Sequence, residues 1–125
     1  GYVWRLAGVT LYHSGDTVPF DGLEEAVSPF EPEVALLPVN GRDAERASHG
    51  VPGNLTFDEA VVLSRNIGVQ AMIPHHFDMF AFNTIRRDQL QARAAALEAP
   101  PRCLVPRVDL MFRFTATVPP RGDPP

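Results

Sequence analysis

Three short apolar runs, residues 9–13, 34–39 and 69–73, are separated by stretches that carry helix-capping and helix-ending signals. This alternation constrains the fold more than any other feature. Strands that are only five or six residues long and nearly continuous in apolar character suit a buried, parallel sheet. Parallel neighbours need a crossover between them, and a helix is the usual one. Residues 2–6 and 9–13, split by Ala7-Gly8, read as a hairpin that opens the chain. The expected order is β-β-α-β-α-β-α-β, an α/β fold with a mainly parallel centre.

The helix signals differ in kind. Asp21 with Glu24 three residues later suggests a short helix over 21–27, stopped by Pro29 and Pro32. Thr56-Phe57-Asp58-Glu59 is a capping box opening a helix to about Asn66, with Gly68 after its end. A third helix is expected from Thr84 to Glu98, with Ile85, Leu90, Ala94 and Leu97 as its apolar stripe. The polar stretch from Asn40 to Asn54, with Gly41, Gly50, Pro52 and Gly53, reads as a long functional loop. Residues 108–115 alternate apolar and polar like a last strand. The expected domain is 1–116, followed by a proline-rich tail, 117–125, that lacks the apolar residues to pack.

At 125 residues, one core is expected. A net charge of -4 with 11 scattered basic residues excludes the clustered cationic footprint of a nucleic-acid or anionic-membrane binder. No apolar run approaches the length of a membrane span. The lone Cys103 fits a reducing cytoplasm and reads as a small buried hydrophobe.

Chemistry gathers where the three apolar runs end. Ser14-Gly15-Asp16, Asn40-Gly41-Arg42-Asp43 and His75-His76-Phe77-Asp78 each follow one of them. In open α/β sheets such loops meet at the carboxyl edge of the strands. Carboxylate plus imidazole suits zinc, manganese or iron, and a nearby guanidinium and amide suit an anionic small molecule. Local chemistry leaves alternatives open. Asp16 fits an Asx-turn as well as a ligand, and the histidine pair after Pro74 need not bind metal. His13 reads as a strand side chain with a hydrogen-bond partner, His49 as solvated, and Met79-Phe80-Ala81-Phe82 as core. A phosphate or nucleotide binder of the doubly wound type is disfavoured, because no glycine-rich loop follows the first strand.

Taken together, His13-Ser14-Gly15-Asp16-Thr17, Leu37-Pro38-Val39-Asn40-Gly41-Arg42-Asp43, Gly53-Asn54-Leu55-Thr56 with Glu59-Ala60, and Ile73-Pro74-His75-His76-Phe77-Asp78-Met79-Phe80 resemble the metallo-β-lactamase superfamily. The branch they resemble is that of the ascorbate-6-phosphate lactonases and related metal-dependent hydrolases. The resemblance implies half of an αββα sandwich, a mixed sheet with helices on one face. It implies that Asp16 bridges two metal ions, zinc or manganese, and that His76 ligates one, with His75 at a variable position. It makes Asn40 and Arg42 substrate contacts. The superfamily's His-x-His-x-Asp-His signature is absent, so the resemblance is to a C-terminal half with an incomplete metal site. A half sandwich implies a partner for its open sheet face, either a second copy or a complementary N-terminal half. It also implies a hydrolase weak or inactive by itself. The alternative is a non-catalytic remnant that self-associates or serves as an interaction subunit.

Overall fold

A computed structural model describes residues 1–115. The expected tail, 117–125, and the domain limit at 116 lie outside the described residues. Strands β1 (Tyr2–Leu6) and β2 (Val9–His13) form the opening hairpin. Helix α1 (Leu23–Val27) and a 3-10 turn (Ser28–Phe30) lead to β3 (Val34–Pro38). Helices α2 (Ala44–Ser48) and α3 (Phe57–Asn66) precede β4 (Ala71–His75). Helix α4 (Arg87–Ala95) and the two-residue β5 (Arg102–Cys103) follow. The sheet runs β1-β2-β3-β4-β5. The β1–β2 pair is antiparallel and the other pairs are parallel.

All the larger helices cover one face. Tyr12, Ala35, Leu37, Val39 and Met72 meet Leu23 and Val27 of α1, Phe57, Ala60, Val61 and Leu63 of α3, and Leu90 of α4. Helix α3 supplies most of that cover because its capping box forms as read. Thr56 Oγ1 accepts from the Glu59 N–H, and Glu59 accepts from the Thr56 N–H at 2.8 Å. The opposite face is apolar too. Val9, Val34 and Ala71 are buried there, and the partly buried Leu11, Leu36, Ile73, Leu104 and Phe114 pack against them. Register places Tyr2, Trp4 and Leu6 of β1 on this same face, opposite His13, Leu11 and Val9, and there they are largely exposed. The mixed sheet with helices on one face is therefore as expected from the sequence.

Several expectations are corrected. Helix α1 starts at Leu23, not at an Asp21 cap, because Gly22 turns left-handed (φ 90°) at the N-cap and no side chain caps the helix. The long loop 40–54 contains α2, capped by Asp43, whose carboxylate accepts the Arg46 N–H at 2.8 Å. Helix α4 is shorter than 84–98 at both ends. The run 69–73 becomes a strand shifted to 71–75, with Pro74 inside it. Pro74 is tolerated because Met72 O accepts from Leu104 N–H at 2.8 Å, and Pro74 turns its nitrogen to that same side, past the last β4–β5 pair. No strand forms at 108–115; Leu110 N–H closes a turn on Arg107 O, and Val108 and Met111 are exposed. Alternation marks a face but supplies no partner, and the two-residue β5 followed by Pro106 offers little edge to pair with. Cys103 is half-buried, and burial pushes its thiol up to about 11, which keeps it protonated and unreactive.

Candidate functional site

Because β2, β3 and β4 are parallel neighbours, the loops after them meet at one edge. Asp16 follows β2, Asn40 follows β3, and His76 follows β4. His76 has φ 58°, a left-handed conformation that costs a non-glycine residue about 1 kcal/mol or more. The turn parts the two histidines. His75 stays on the open sheet face, its ring stacked 4.9 Å from that of His13. His76 comes to the edge, its Nδ1 3.3 Å from Asp16 Oδ1.

Asp16 makes no turn hydrogen bond among the described residues, and its side chain is 75% exposed. The backbone around it is held by others instead. Gly15 N–H donates to His13 Nδ1 at 2.9 Å, and Thr17 N–H donates to Asn54 Oδ1 at 2.8 Å. The second bond orients the Asn54 amide, leaving Nδ2 to face His76 Nδ1 at 3.4 Å. His76 Nδ1 thus lies at long range from both a donor and an acceptor, and neither contact is a strong hydrogen bond. A carboxylate oxygen and an imidazole nitrogen that share one cation, each at about 2.0–2.2 Å, sit roughly 3–3.5 Å from each other. The Asp16–His76 pair has that spacing. These two donors fit a divalent metal as part of its ligand set. Among the described residues no group of three or more His, Cys, Asp or Glu is placed to hold one.

His75 Nε2 is buried with no hydrogen-bond partner among the described residues, and burial, then the neighbouring His76 and His13, push its pKa down to about 4. It is a neutral imidazole at ordinary pH. His49 is exposed, its Nδ1 2.9 Å from Glu45 O.

The Arg42 guanidinium is engaged within the chain. Its fork donates to both Glu59 oxygens at 2.6 Å, and Nη1 also donates to Asn54 O at 3.1 Å. It ties the 40–54 loop to the cap of α3 and so fixes Asn54. The Arg42 guanidinium, with the Thr56 donors, holds the Glu59 carboxyl down at about 2, against an ordinary 4.5. The unfolded chain therefore takes up a proton between these values that the folded chain refuses, so this pair stabilises fully above about pH 4.5 and less and less toward pH 2. Urea midpoints of the protein should fall across that window, and Glu59→Gln should flatten the fall.

Asn40 does sit at the edge. It is buried and lines a cavity of about 180 Å³ with Asp16, Asn54, His76, Met79, Phe80 and Asn83. Met79, Phe80 and Phe82 are more than half exposed and are not core; the loop that carries them forms one wall of this cavity. Arg46 and Asn83 were not singled out by sequence, and Asn54 entered only within the Gly53-Asn54-Leu55-Thr56 stretch, with no role given to it. A larger groove of about 480 Å³ between α1 and α3, lined by Phe20, Leu23, Leu55 and Val62, holds no comparable pairing of carboxylate and imidazole.

No protein-family model matches the chain. Among curated proteins, it is 35% identical over 107 residues to a UPF0173 metal-dependent hydrolase of Myxococcus xanthus, covering 85% of this chain and 35% of that protein. It is 34% identical over 80 residues to one of Methanoculleus marisnigri, covering 64% of this chain and 31% of that protein. This chain resembles part of a metal-dependent hydrolase. It spans about a third of the length of the curated relatives it matches. Among solved structures, Igni18, a metallo hydrolase from Ignicoccus hospitalis, superposes with a TM-score of 0.59 at 20% identity, over 86% of this chain and 43% of that one. That likeness shows a shared fold. Among the described residues no helix is long and apolar enough to cross a membrane.

Proposed function

We infer that this chain is part of a cytoplasmic metal-dependent hydrolase of the metallo-β-lactamase superfamily, acting on a lactone or phosphodiester. The observation that carries the reading is the Asp16–His76 pair at the carboxyl edge of parallel strands, at the spacing of two ligands of one ion. Similarity to proteins named metal-dependent hydrolases supports it. Asp16 and His76 would hold zinc or manganese as part of its ligand set, since among the described residues no group of three such donors is placed to hold it alone. A bound ion of this kind supplies Lewis acidity and a water acidified toward neutral pH. The residues of this chain hold it in place: Thr17 and Asn54 position Asp16 and His76, and Arg42 positions Asn54. Glu59 occupies the Arg42 fork, so Arg42 is assigned no part in binding an anionic substrate.

The open sheet face favours a second layer as well. Tyr2, Trp4 and Leu6 extend the Leu11-Leu36-Ile73 surface into an apolar patch too broad for a solvated sheet. The reading assigns to it a second sheet from the remainder of a longer hydrolase, in keeping with the 43% of Igni18 that this chain matches.

The test is hydrolysis of a γ-lactone and of a p-nitrophenyl phosphodiester by the full-length protein, with Mn²⁺ or Zn²⁺ and with chelator. Chelator-sensitive turnover of either substrate is the expected result. Turnover that chelation leaves unchanged, or none on either substrate with metal bound, would overturn the reading.

A further inference from the structure

Asp16 is aimed by its backbone. Its carboxylate makes no turn hydrogen bond among the described residues, so the peptide units on either side set its direction. The residue before it, Gly15, is the joint of this turn with the least to hold it. It sits at φ +66°, and beyond its chain neighbours no atom lies within 4 Å of where a Cβ would be. Glycine takes either sign of φ at little cost, so neither packing nor conformational preference fixes it. Hydrogen bonds do that instead. Gly15 N–H donates to His13 Nδ1 at 2.9 Å, and Ser14 Oγ donates to Gly15 O at 2.7 Å. The Thr17 N–H bond to Asn54 Oδ1 secures the far side of Asp16.

The His13 bond selects a tautomer. An N–H donor faces Nδ1, so Nδ1 carries no proton and the neutral ring bears its proton on Nε2. The Nδ1 lone pair, given to Gly15, is not free to ligate an ion. The ring is set in turn by its neighbours. It stacks on His75 with centroids 4.9 Å apart, and it meets Trp4 at 86° with centroids 6.3 Å apart. Any planar ring could make those two contacts, but only an acceptor at Nδ1 can serve Gly15. The motif is an Asx-turn with imidazole in place of the amide, a side-chain acceptor taking the backbone N–H two residues on.

We propose that His13 is a positioning residue for Asp16: protonated on Nε2 alone, it closes the Gly15 turn through Nδ1 and so holds the Asp16 carboxylate opposite His76. The proposal rests on the reading of Asp16 and His76 as ligands of one ion. It adds that the site needs an acceptor at position 13 rather than a ring. Groups that orient metal ligands in this way are worth about 10- to 100-fold in metal affinity.

Two variants of the full-length protein separate the acceptor from the ring. His13→Phe keeps a ring for His75 and Trp4 and has no acceptor. His13→Asn has no ring and keeps an acceptor able to take the Gly15 N–H. Mn²⁺ affinity is read from the electron paramagnetic resonance signal of the free ion. It is expected to fall about tenfold or more in His13→Phe and to stay close to that of the unaltered protein in His13→Asn. Unchanged affinity in His13→Phe overturns the proposal. So does an equal loss in both variants, which would mark the ring itself, as packing or as a ligand through Nε2. Asp16→Ala is the reference. If it loses Mn²⁺ and His13→Phe does not, the positioning role is refuted and the metal reading stands. If Asp16→Ala binds Mn²⁺ unchanged, the metal reading falls and the proposal falls with it. The unaltered protein decides the matter even if a variant does not fold. Its ¹⁵N-histidine spectra at neutral pH are expected to show His13 with a bare Nδ1 and a proton on Nε2, and a proton on Nδ1 overturns the proposal.

Discussion

Asp16→Ala is expected to lower metal-supported hydrolysis by the full-length protein at least about a hundredfold, since even groups that only orient metal ligands are worth 10- to 100-fold. His76→Ala is expected to do the same. The cause is local. Asp16 is mostly exposed and makes no turn hydrogen bond among the described residues, so its removal should leave the fold intact. His76 is half-buried and occupies a strained left-handed turn, so alanine there relieves little and costs little. Thermal midpoints of both variants should stay close to that of the unaltered protein. A large loss of turnover with an unchanged midpoint separates a ligand from a structural residue. Full turnover in Asp16→Ala would remove it from the site.

Gly53→Ala is expected to be severely destabilising. Gly53 has φ +68°, and a Cβ there would lie 2.7 Å from Arg42 Cβ and 2.9 Å from Arg42 Cα, with the Gly41 carbonyl oxygen closer still. The obstacles are backbone and a first side-chain carbon, which cannot swing aside. Strain and overpacking together should cost about 2–4 kcal/mol, a large fraction of the stability of a small domain. The damage should also reach the site. Gly41 N–H donates to Leu55 O and Asn54 N–H donates to Gly41 O, so forcing Gly41 and Gly53 apart displaces Asn54 and, through it, Thr17 and His76. Denaturant melts should show a lowered midpoint, and Gly50→Ala, where a Cβ meets open space, should fall well short of that loss.

The parts of the fold that were legible in sequence are those written in local pattern. Strands β2, β3 and β4 follow apolar runs, and the cap of α3 follows Thr56-Phe57-Asp58-Glu59. The meeting of Asp16 with His76, sixty residues apart, was legible because parallel order alone brings successive strand ends to one edge. What was not legible depends on long-range choice. Arg42 could serve an anion or a carboxylate of its own chain, and nothing local chooses Glu59, 17 residues on. Met79, Phe80 and Phe82 look like core by composition, but among the described residues no element covers them. Asn83 has no motif, and its place follows from the path of the loop between β4 and α4. The α2 helix was hidden because Gly41, Gly50, Pro52 and Gly53 outweighed the Asp43 cap signal in a short window.

The most direct test of the account is a crystal of the protein grown with MnCl₂ and measured for anomalous scattering. A manganese peak is expected within about 2.5 Å of both an Asp16 carboxylate oxygen and a His76 ring nitrogen, absent from Asp16→Ala crystals. Manganese bound elsewhere with Asp16 and His76 bare, or a peak that persists unchanged in Asp16→Ala, would contradict it.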